Sequence, residues 1–260
     1  MHHVARYALD DRIHHGRLDG DDFIRLDRAE WEGGRPTGDR DPRRAVRLLA
    51  PVMPTKIICV GLNYVAHRAE SQTVLPDSKD PTEPLLFLKP PSAIIGTGEA
   101  IHYPRGVTRL DPEAELAVVI GRRASAVDEA SAGEFVAGIT CMNDVSARNY
   151  QRQDGQWTRA KGFDTFAPLG PWVTVGLEPR GLDVTCRVNG EVRQRGNTRD
   201  LVFAVPFLVS FVSRIMTLEP GDVIATGTPA GIAPVAEGDR IEVEVEGVGV
   251  LENRVKNSTI

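Results

Sequence analysis

The chain has 260 residues and a formal net charge of −5 at pH 7, a length that suffices for one large core and a small extra domain. The negative charge and the lack of any run rich in Lys and Arg argue against nucleic-acid binding. The N-terminus lacks a signal-peptide core, and the longest apolar run, residues 201–212, is too short to cross a bilayer. Three cysteines far apart in apolar contexts predict reduced core residues. We therefore expect a cytoplasmic protein that binds neither nucleic acid nor membranes.

The first 48 residues alternate short apolar and charged groups, with glycines that mark turns. We predict a small β-rich N-terminal domain over residues 1–50 and a larger domain over residues 51–260. The charged stretch 32–44 is the predicted loop or linker of the small domain.

The larger domain has the pattern of many short strands and few helices. The clearest predicted helix covers residues 200–216 and carries an apolar stripe, and later strands are predicted at residues 223–226, 240–245 and 249–255. The sequence thus predicts a mainly β fold with α additions.

The first candidate site element follows a predicted buried strand at residues 57–60 and a Gly-Leu-Asn turn. We predict a short helix there, on which His67 and Glu70 lie at positions i and i+3. The Glu carboxylate can then orient the imidazole and raise its basicity, which is the arrangement of a general base. A simple surface contact is the more common use of such a pair.

Two carboxylates, Glu113 and Glu115, stand two residues apart at the head of an apolar strand. Side chains at i and i+2 share one face of a strand, while Ala114 and Leu116 face the other way. Like charges on one face repel each other, so a hard divalent cation between them is the natural partner. A solvated edge strand with two exposed acids is the alternative.

A third carboxylate, Asp144, ends an apolar, strand-like run, and we predict that a short helix begins there because Asn and Asp favour N-cap positions. On that helix Asp144, Arg148 and Gln151 would share one face, as expected of a site, although a capped surface helix is also possible. Residues 159–172 mix Lys161 with aromatic residues, Gly and Pro, which predicts a structured loop.

Together these segments resemble the fumarylacetoacetate hydrolase family, and in particular its short bacterial-type members with a small N-terminal domain. Six motifs occur in the order of the family and carry the resemblance: residues 60–70, 87–96, 113–121, 143–148, 161–166 and 226–231. The resemblance implies a mixed β-sandwich roll of the fumarylacetoacetase C-terminal type that encloses the site. The sequence departs from the family pattern at Asn149-Tyr150 and at Gly231-Ile-Ala. The resemblance therefore does not identify the substrate.

Carried over by position, the resemblance implies roles for individual residues. It implies that Glu113, Glu115 and Asp144 form a metal site for Mg²⁺ or Mn²⁺. It also implies that His67 and Glu70 form a water-activating pair on a lid-like helix. It further implies groups that hold the substrate or its oxygens, namely Tyr64, Ser92, Arg148, Gln151, Lys161 and Thr228, of which Gln151 and Lys161 would also stabilise an oxyanion. A homodimer is expected from the resemblance and from the apolar stripe of residues 200–216.

Three carboxylates around a divalent ion leave a charge of about −1, which nearby Arg148 and Lys161 could offset. Such an ion keeps open positions for the carboxylate and keto oxygens of a 2-oxo acid or 1,3-dicarbonyl.

Three hypotheses about the function follow. The first is a hydrolase that cleaves a C–C bond in acylpyruvate- or fumarylpyruvate-like acids. The second is an isomerase or decarboxylase of acids like 2-hydroxyhepta-2,4-dienedioate or oxaloacetate, and the third is a non-catalytic binder of metal and small acids.

Overall fold

The structure is a computed structural model that describes residues 1–74 and 82–258. The strands are β1 His2–Leu9, β2 Arg12–Asp19, β3 Asp22–Leu26, β4 Pro36–Pro42, β5 Arg47–Leu48, β6 Ile57–Gly61, β7 Leu85–Lys89, β8 Ile94–Ile95, β9 Ala100–Tyr103, β10 Leu110–Asp111, β11 Ala114–Ile120, β12 Val136–Asn143, β13 Ser146–Ala147, β14 Ala167–Val175, β15 Asp183–Val188, β16 Glu191–Asn197, β17 Val223–Ala225, β18 Arg240–Val245 and β19 Gly249–Asn257. The α-helices are α1 Val65–Val74, α2 Arg148–Asp154, α3 Thr158–Lys161 and α4 Val205–Ile215. Short 3-10 helices cover Glu30–Glu32, Arg43–Ala45, Pro91–Ala93, Glu129–Phe135 and Thr198–Asp200.

The strands form two packed layers, so the predicted mainly β fold with α additions is confirmed. The large sheet has the order β4-β3-β2-β1-β14-β12-β11-β17-β6-β7, with β5 paired to β1 and β8 paired to β14. A five-stranded sheet, β16-β15-β18-β19-β9, packs on β11, β12 and β14. β10 and β13 form a separate pair beside them.

Strand β11 lies inside the large sheet, between β12 and β17, and each of its residues is buried. Leu116 and Val118 pack in the main core with the small sheet, whereas Ala117 and Val119 belong to a second apolar cluster on the opposite face. The alternative of a solvated edge strand is therefore wrong. Carboxylates at the head of this strand lie in a low-dielectric interior, where charge needs compensation.

The N-terminal strands β1 to β4 form an antiparallel meander, and β1 also pairs with β14 through the register His2↔Val175. The β-rich N-terminal unit thus extends the large sheet. The predicted loop over residues 32–44 is wrong in its second half, because Pro36–Pro42 forms β4. Asp41 is buried on this strand and accepts hydrogen bonds from Tyr7 Oη at 2.6 Å and from Arg25 Nη2 at 2.6 Å.

We expect Asp41→Asn to lower the free energy of unfolding at pH 7 by about 2 kcal/mol, because a buried charge-assisted pair is lost. Hydrogen bonds from Arg25 lower the pKa of Asp41 below its ordinary value of 3.8. This stability is therefore present above pH 3.8 and is lost as pH falls through the lower folded pKa. Urea unfolding at pH 7 and at pH 2.5 should show a difference between the two proteins that shrinks in acid. Asp39→Asn is the control, since Asp39 is exposed and pairs with the same Arg25; equal losses in both variants would contradict the prediction.

One helix prediction and one loop prediction are corrected by the structure. The helix predicted from Asp144 begins only at Arg148, because the Asn143 side chain accepts the N–H of Glu113 and Asp144 binds two lysines instead of capping a helix. Residues 159–172, predicted as a loop, contain the end of α3 and the start of β14.

The helix predicted over residues 200–216 is α4, which begins at Val205 after the extended Ala204, with Pro206 in its first turn. The predicted strand 240–245 matches β18, and β19 begins at Gly249 as predicted. The three cysteines are buried free thiols. In the described ranges, no helix is both long and apolar enough to cross a membrane.

Candidate functional site

Three carboxylates converge where β11 begins and β12 ends. In this antiparallel pair Ala114 lies opposite Asn143, so the flanking residues Glu113 and Asp144 are adjacent, and the Asp144 N–H donates to the Glu113 carbonyl oxygen at 2.9 Å. Glu115 follows on the same face of the strand as Glu113. Oxygens from the three carboxylates all lie within 4.8 Å of one another, and all three residues are buried.

Three buried cations neutralise two of these carboxylates. Lys161 Nζ donates to Glu113 Oε2 and to Asp144 Oδ2, both at 2.7 Å, and Lys89 Nζ donates to Asp144 Oδ1. Arg148 Nη2 donates to Glu113 Oε1 at 2.5 Å. Burial would raise the pKa of Glu113, but the charges of Lys161 and Arg148 lower it well below its ordinary value.

Glu115 differs from its two neighbours because it forms no ion pair with any residue in the described part of the chain. Its Oε2 accepts only the Gly227 N–H, at 2.8 Å, among the hydrogen bonds that the structure defines. Burial raises the pKa of Glu115 well above its ordinary value, and the negative charges of Asp144 and Glu113 raise it further.

This donor set fits a hard divalent cation. Three buried oxygen ligands, one of them without a compensating charge, suit Mg²⁺ or Mn²⁺ rather than a softer metal, which prefers sulfur or imidazole. Glu113, Glu115 and Asp144 are the residues that could hold such an ion.

The predicted His67–Glu70 pair is formed on α1, with His67 Nδ1 and Glu70 Oε2 at 3.1 Å. His67 is buried and lines the same cavity as the three carboxylates. Burial alone would raise the pKa of Glu70, but hydrogen bonds from His67 and from the backbone N–H groups of Gly231 and Ile232 lower it. Glu70 is thus a carboxylate that accepts the Nδ1 hydrogen of His67, which leaves the basic lone pair of the neutral ring on Nε2.

A glycine is required at position 231 to hold Glu70. Gly231 has φ +107°, and a Cβ atom there would lie 2.0 Å from the carbonyl oxygen of Arg193. This backbone conformation lets the Gly231 N–H donate to both Glu70 oxygens at 3.1 Å. The turn after β17 therefore positions the acid that orients His67.

Arg148 and Gln151 line the cavity from α2, one turn apart, and they are bonded to each other. Arg148 Nη1 donates to Gln151 Oε1 at 2.8 Å, while Arg148 Nε donates to Asp111 Oδ2 at 2.8 Å. Together with the bond to Glu113, these contacts engage all three nitrogens of the guanidinium group. Arg148 therefore positions Glu113, and the amide nitrogen of Gln151 is the atom that this residue can offer to a ligand.

The remaining residues implied by the resemblance lie at different depths. Thr228 is buried and lines the cavity, where its Oγ1 donates to the Ala114 carbonyl oxygen at 2.9 Å and accepts from Gln194 at 2.7 Å. Tyr64 is buried but is not among the residues that line the cavity, and its hydroxyl has no hydrogen-bond partner among the described atoms. Ser92 is exposed on a 3-10 helix and does not line the cavity. The structure thus brings Thr228 to the site and leaves Tyr64 and Ser92 outside its lining.

Sequence reasoning missed two buried charges beside the site, Asp111 and Lys89. Asp111 binds Arg109 and Arg148. It lies two residues before Glu113, at the same spacing that separates Glu113 from Glu115, so this two-residue spacing of acidic residues could have indicated it. Lys89 ends strand β7 within an apolar run and carried no comparable signal.

Comparison with known proteins decides the family. A family model described as fumarylacetoacetate (FAA) hydrolase C-terminal matches residues 56–256. The chain belongs to the fumarylacetoacetate hydrolase family. A second model, described as Rv2993c-like, N-terminal, matches residues 2–51. The family inferred from the six motifs is therefore confirmed.

Relatives within the fumarylacetoacetate hydrolase family catalyse more than one reaction. The structure of 5-carboxymethyl-2-hydroxymuconate delta-isomerase from Mycobacterium smegmatis has a TM-score of 0.92 and 42% identity, covering 98% of this chain and 100% of that chain. Maleylpyruvate hydrolase from Sphingobium sp. SYK-6, solved with manganese(II) and pyruvate, has a TM-score of 0.80 and 30% identity over 99% of this chain and 100% of that one. The human mitochondrial oxaloacetate tautomerase FAHD2A is 43% identical over 227 residues, 82% of this chain and 71% of that protein.

Proposed function

We propose that this protein is a Mg²⁺- or Mn²⁺-dependent hydrolase that cleaves a C–C bond in small 1,3-diketo or 2-oxo acids, such as acylpyruvates or fumarylpyruvate. The observation that carries the proposal is the joint position of His67 and the three carboxylates in the lining of one cavity. A base and a metal-ligand set that face one space can act on one substrate. When bound by Glu113, Glu115 and Asp144, the ion would polarise the 2-oxo group and favour the enol form.

The residues of the chain supply the proton transfers. His67 Nε2 takes a proton from water while Glu70 stabilises the resulting imidazolium, and the water oxygen forms a bond to the distal carbonyl carbon. The Lys161 ammonium and the Gln151 amide nitrogen donate to the oxyanion on that carbon. The bond between this carbon and the neighbouring CH₂ then breaks, its electron pair remains on the pyruvate fragment, and His67 returns the proton to that fragment.

An isomerase or decarboxylase is the second candidate, supported by relatives whose names describe isomerisation and tautomerisation. Such a reaction uses the same enol form but needs no attacking water. A base and a proton donor near the CH₂ group are sufficient for it.

A substrate panel tests the two candidates. Protein loaded with Mg²⁺ or Mn²⁺ should convert acetylpyruvate to acetate and pyruvate, and both products can be measured enzymatically. Exchange of C3 protons into deuterated water should be followed in parallel by NMR. Exchange or decarboxylation without cleavage of any diketo acid would replace the hydrolase with the second candidate. Metal binding without either reaction on any panel member would favour the non-catalytic binder.

We further propose that the protein is a homodimer. The support is the apolar surface at α4, where Phe207 and Phe211 on the helix and Phe203 just before it form a stacked row and are partly exposed. Light scattering at micromolar concentration should give twice the chain mass of 28.4 kDa, because an interface of standard size is populated there. A species of only one chain mass would contradict the proposal.

A further inference from the structure

The buried side chain of Asn63 joins three segments that are distant in the chain. Its Oδ1 accepts the Phe203 N–H at 2.8 Å, and its Nδ2 donates to the carbonyl oxygens of Phe203 at 3.0 Å and of Thr226 at 2.7 Å. Both N–H groups of the amide and its oxygen are thus in use. Asn63 therefore fixes the turn after β6 against the segment before α4 and against the loop after β17.

The turn that contains Asn63 leads directly into the helix that carries His67. Helix α1 begins two residues after Asn63. Arg68 ties this helix back to the turn, since its N–H donates to the Tyr64 carbonyl oxygen at 3.0 Å and its Nε to the Leu62 carbonyl oxygen at 2.7 Å. The position of Asn63 therefore sets where α1 starts and, with it, the place of His67.

The loop after β17 contacts both Asn63 and the carboxylate cluster. The Gly227 N–H donates to Glu115 Oε2 at 2.8 Å, and Thr228 lines the cavity. Gly227 lies directly against Asn63, because its φ is +102° and an added Cβ would be 2.8 Å from the Asn63 Cβ. Asn63 thus holds the loop that in turn holds Glu115.

Two links join α1 to this loop. One is Asn63 at the start of the helix, and the other is the bond from Gly231 to Glu70 described above. His67 lies between the two links in the chain, and its ring needs a fixed distance from the carboxylate cluster to act on a ligand held there. A misplacement of about 1 Å can lower an enzymatic rate about 100-fold.

We infer that Asn63 is a positioning residue whose amide holds helix α1 and the Glu115-binding loop in one arrangement. The inference rests on the proposed function for the roles of His67 and Glu115, and it goes beyond that function by naming the group that aligns the two. An Asn that only stabilised the fold would influence neither the metal site nor the base.

Asn63→Asp keeps the shape of the side chain but replaces the donating amide with a carboxylate that faces two carbonyl oxygens. Asn253→Asp is the matched control, because Asn253 is also buried and donates to two carbonyl oxygens, those of Gly96 at 2.8 Å and of Glu99 at 2.9 Å. None of these three residues lines the cavity. Both substitutions should lower the melting temperature, since each breaks buried hydrogen bonds.

Hydrogen exchange followed by mass spectrometry tests the link on metal-free protein, without any substrate. Asn63→Asp should speed exchange about tenfold or more in residues 64–70 and also in residues 226–228, because one link holds both segments. Asn253→Asp should leave exchange in both segments unchanged. Faster exchange confined to residues 202–203, or equal effects of the two substitutions, would overturn the inference.

Metal affinity and turnover separate positioning from stability. Asn63→Asp should weaken Mn²⁺ binding about tenfold and lower the turnover of acetylpyruvate about 100-fold, whereas Asn253→Asp should stay within about twofold of the wild type in both. Asn63→Ala and Asn253→Ala form a second pair in which no charge is introduced. Wild-type Mn²⁺ affinity in both Asn63 variants would overturn the inference. A wild type that binds Mn²⁺ but cleaves no diketo acid would overturn the proposed hydrolase instead, and the exchange and affinity measurements would still decide the role of Asn63.

Discussion

Glu115→Ala should weaken the binding of Mn²⁺ by at least about 100-fold and remove activity with it. The carboxylate is one of the three that the described part of the chain brings together as candidate metal ligands, and removal even of groups that merely support a ligand weakens metal binding about 10- to 100-fold. Titration of chelator-treated protein with Mn²⁺, followed by electron paramagnetic resonance, measures the affinity directly. Glu134→Gln is the control, since Glu134 is an exposed acid outside the cavity.

The same substitution should change the stability of the metal-free protein in a way that depends on pH. Without metal, Glu115 is a buried carboxylate whose pKa is raised by burial and by its acidic neighbours. Such a group destabilises the fold increasingly as pH rises above its unfolded pKa of about 4.5. In chelator, Glu115→Ala should therefore be as stable as the wild type at pH 4 and more stable at pH 8. Added Mn²⁺ should raise the melting temperature of the wild type only. Equal Mn²⁺ affinity in the two proteins would contradict the metal site.

His67→Ala should lower the rate of C–C hydrolysis about 10²- to 10⁴-fold, the usual contribution of a general base. Metal affinity and the affinity for pyruvate should stay close to those of the wild type, because His67 lies on α1 and is not part of the carboxylate cluster of Glu113, Glu115 and Asp144. The separation between lost hydrolysis and retained binding distinguishes this variant from Glu115→Ala. Both quantities are measured on one preparation, by product assay and by calorimetry.

Two further measurements define the role of the pair. Glu70→Gln should give a smaller loss than His67→Ala, because the amide still contacts the ring but no longer stabilises the imidazolium. Retained exchange of C3 protons in His67→Ala would support separate groups for enol formation and for water activation. A His67→Ala protein that hydrolyses acetylpyruvate at the wild-type rate would refute the assigned base.

Local patterns in the sequence were sufficient for several features of the site. The two-residue spacing of Glu113 and Glu115 places both on one face of β11, and the three-residue spacing of His67 and Glu70 on α1 allows their contact. These relations depend only on the periods of a strand and a helix. The motif order was equally sufficient for the family.

Other features depend on segments that are distant in the chain, and no local pattern contains them. Asp144 was predicted to cap a helix, which is its local preference, but Lys89 and Lys161 approach it from β7 and α3 and bind both of its oxygens. Likewise, residues 36–42 have the composition of a loop, yet they form β4 because Arg25 and Tyr7 compensate the buried Asp41.

The role of Arg148 also depends on contacts between segments that are distant in the chain. Its spacing from Gln151 was visible in the sequence, but only the fold brings Asp111 and Glu113 to its guanidinium group and so makes it a residue that positions a ligand carboxylate. Charge compensation in a buried site is a sum over several chain segments. The sequence by itself therefore predicted most of the residues that line the candidate site, whereas the tertiary structure decided which charges are paired, because pairing depends on distances between segments.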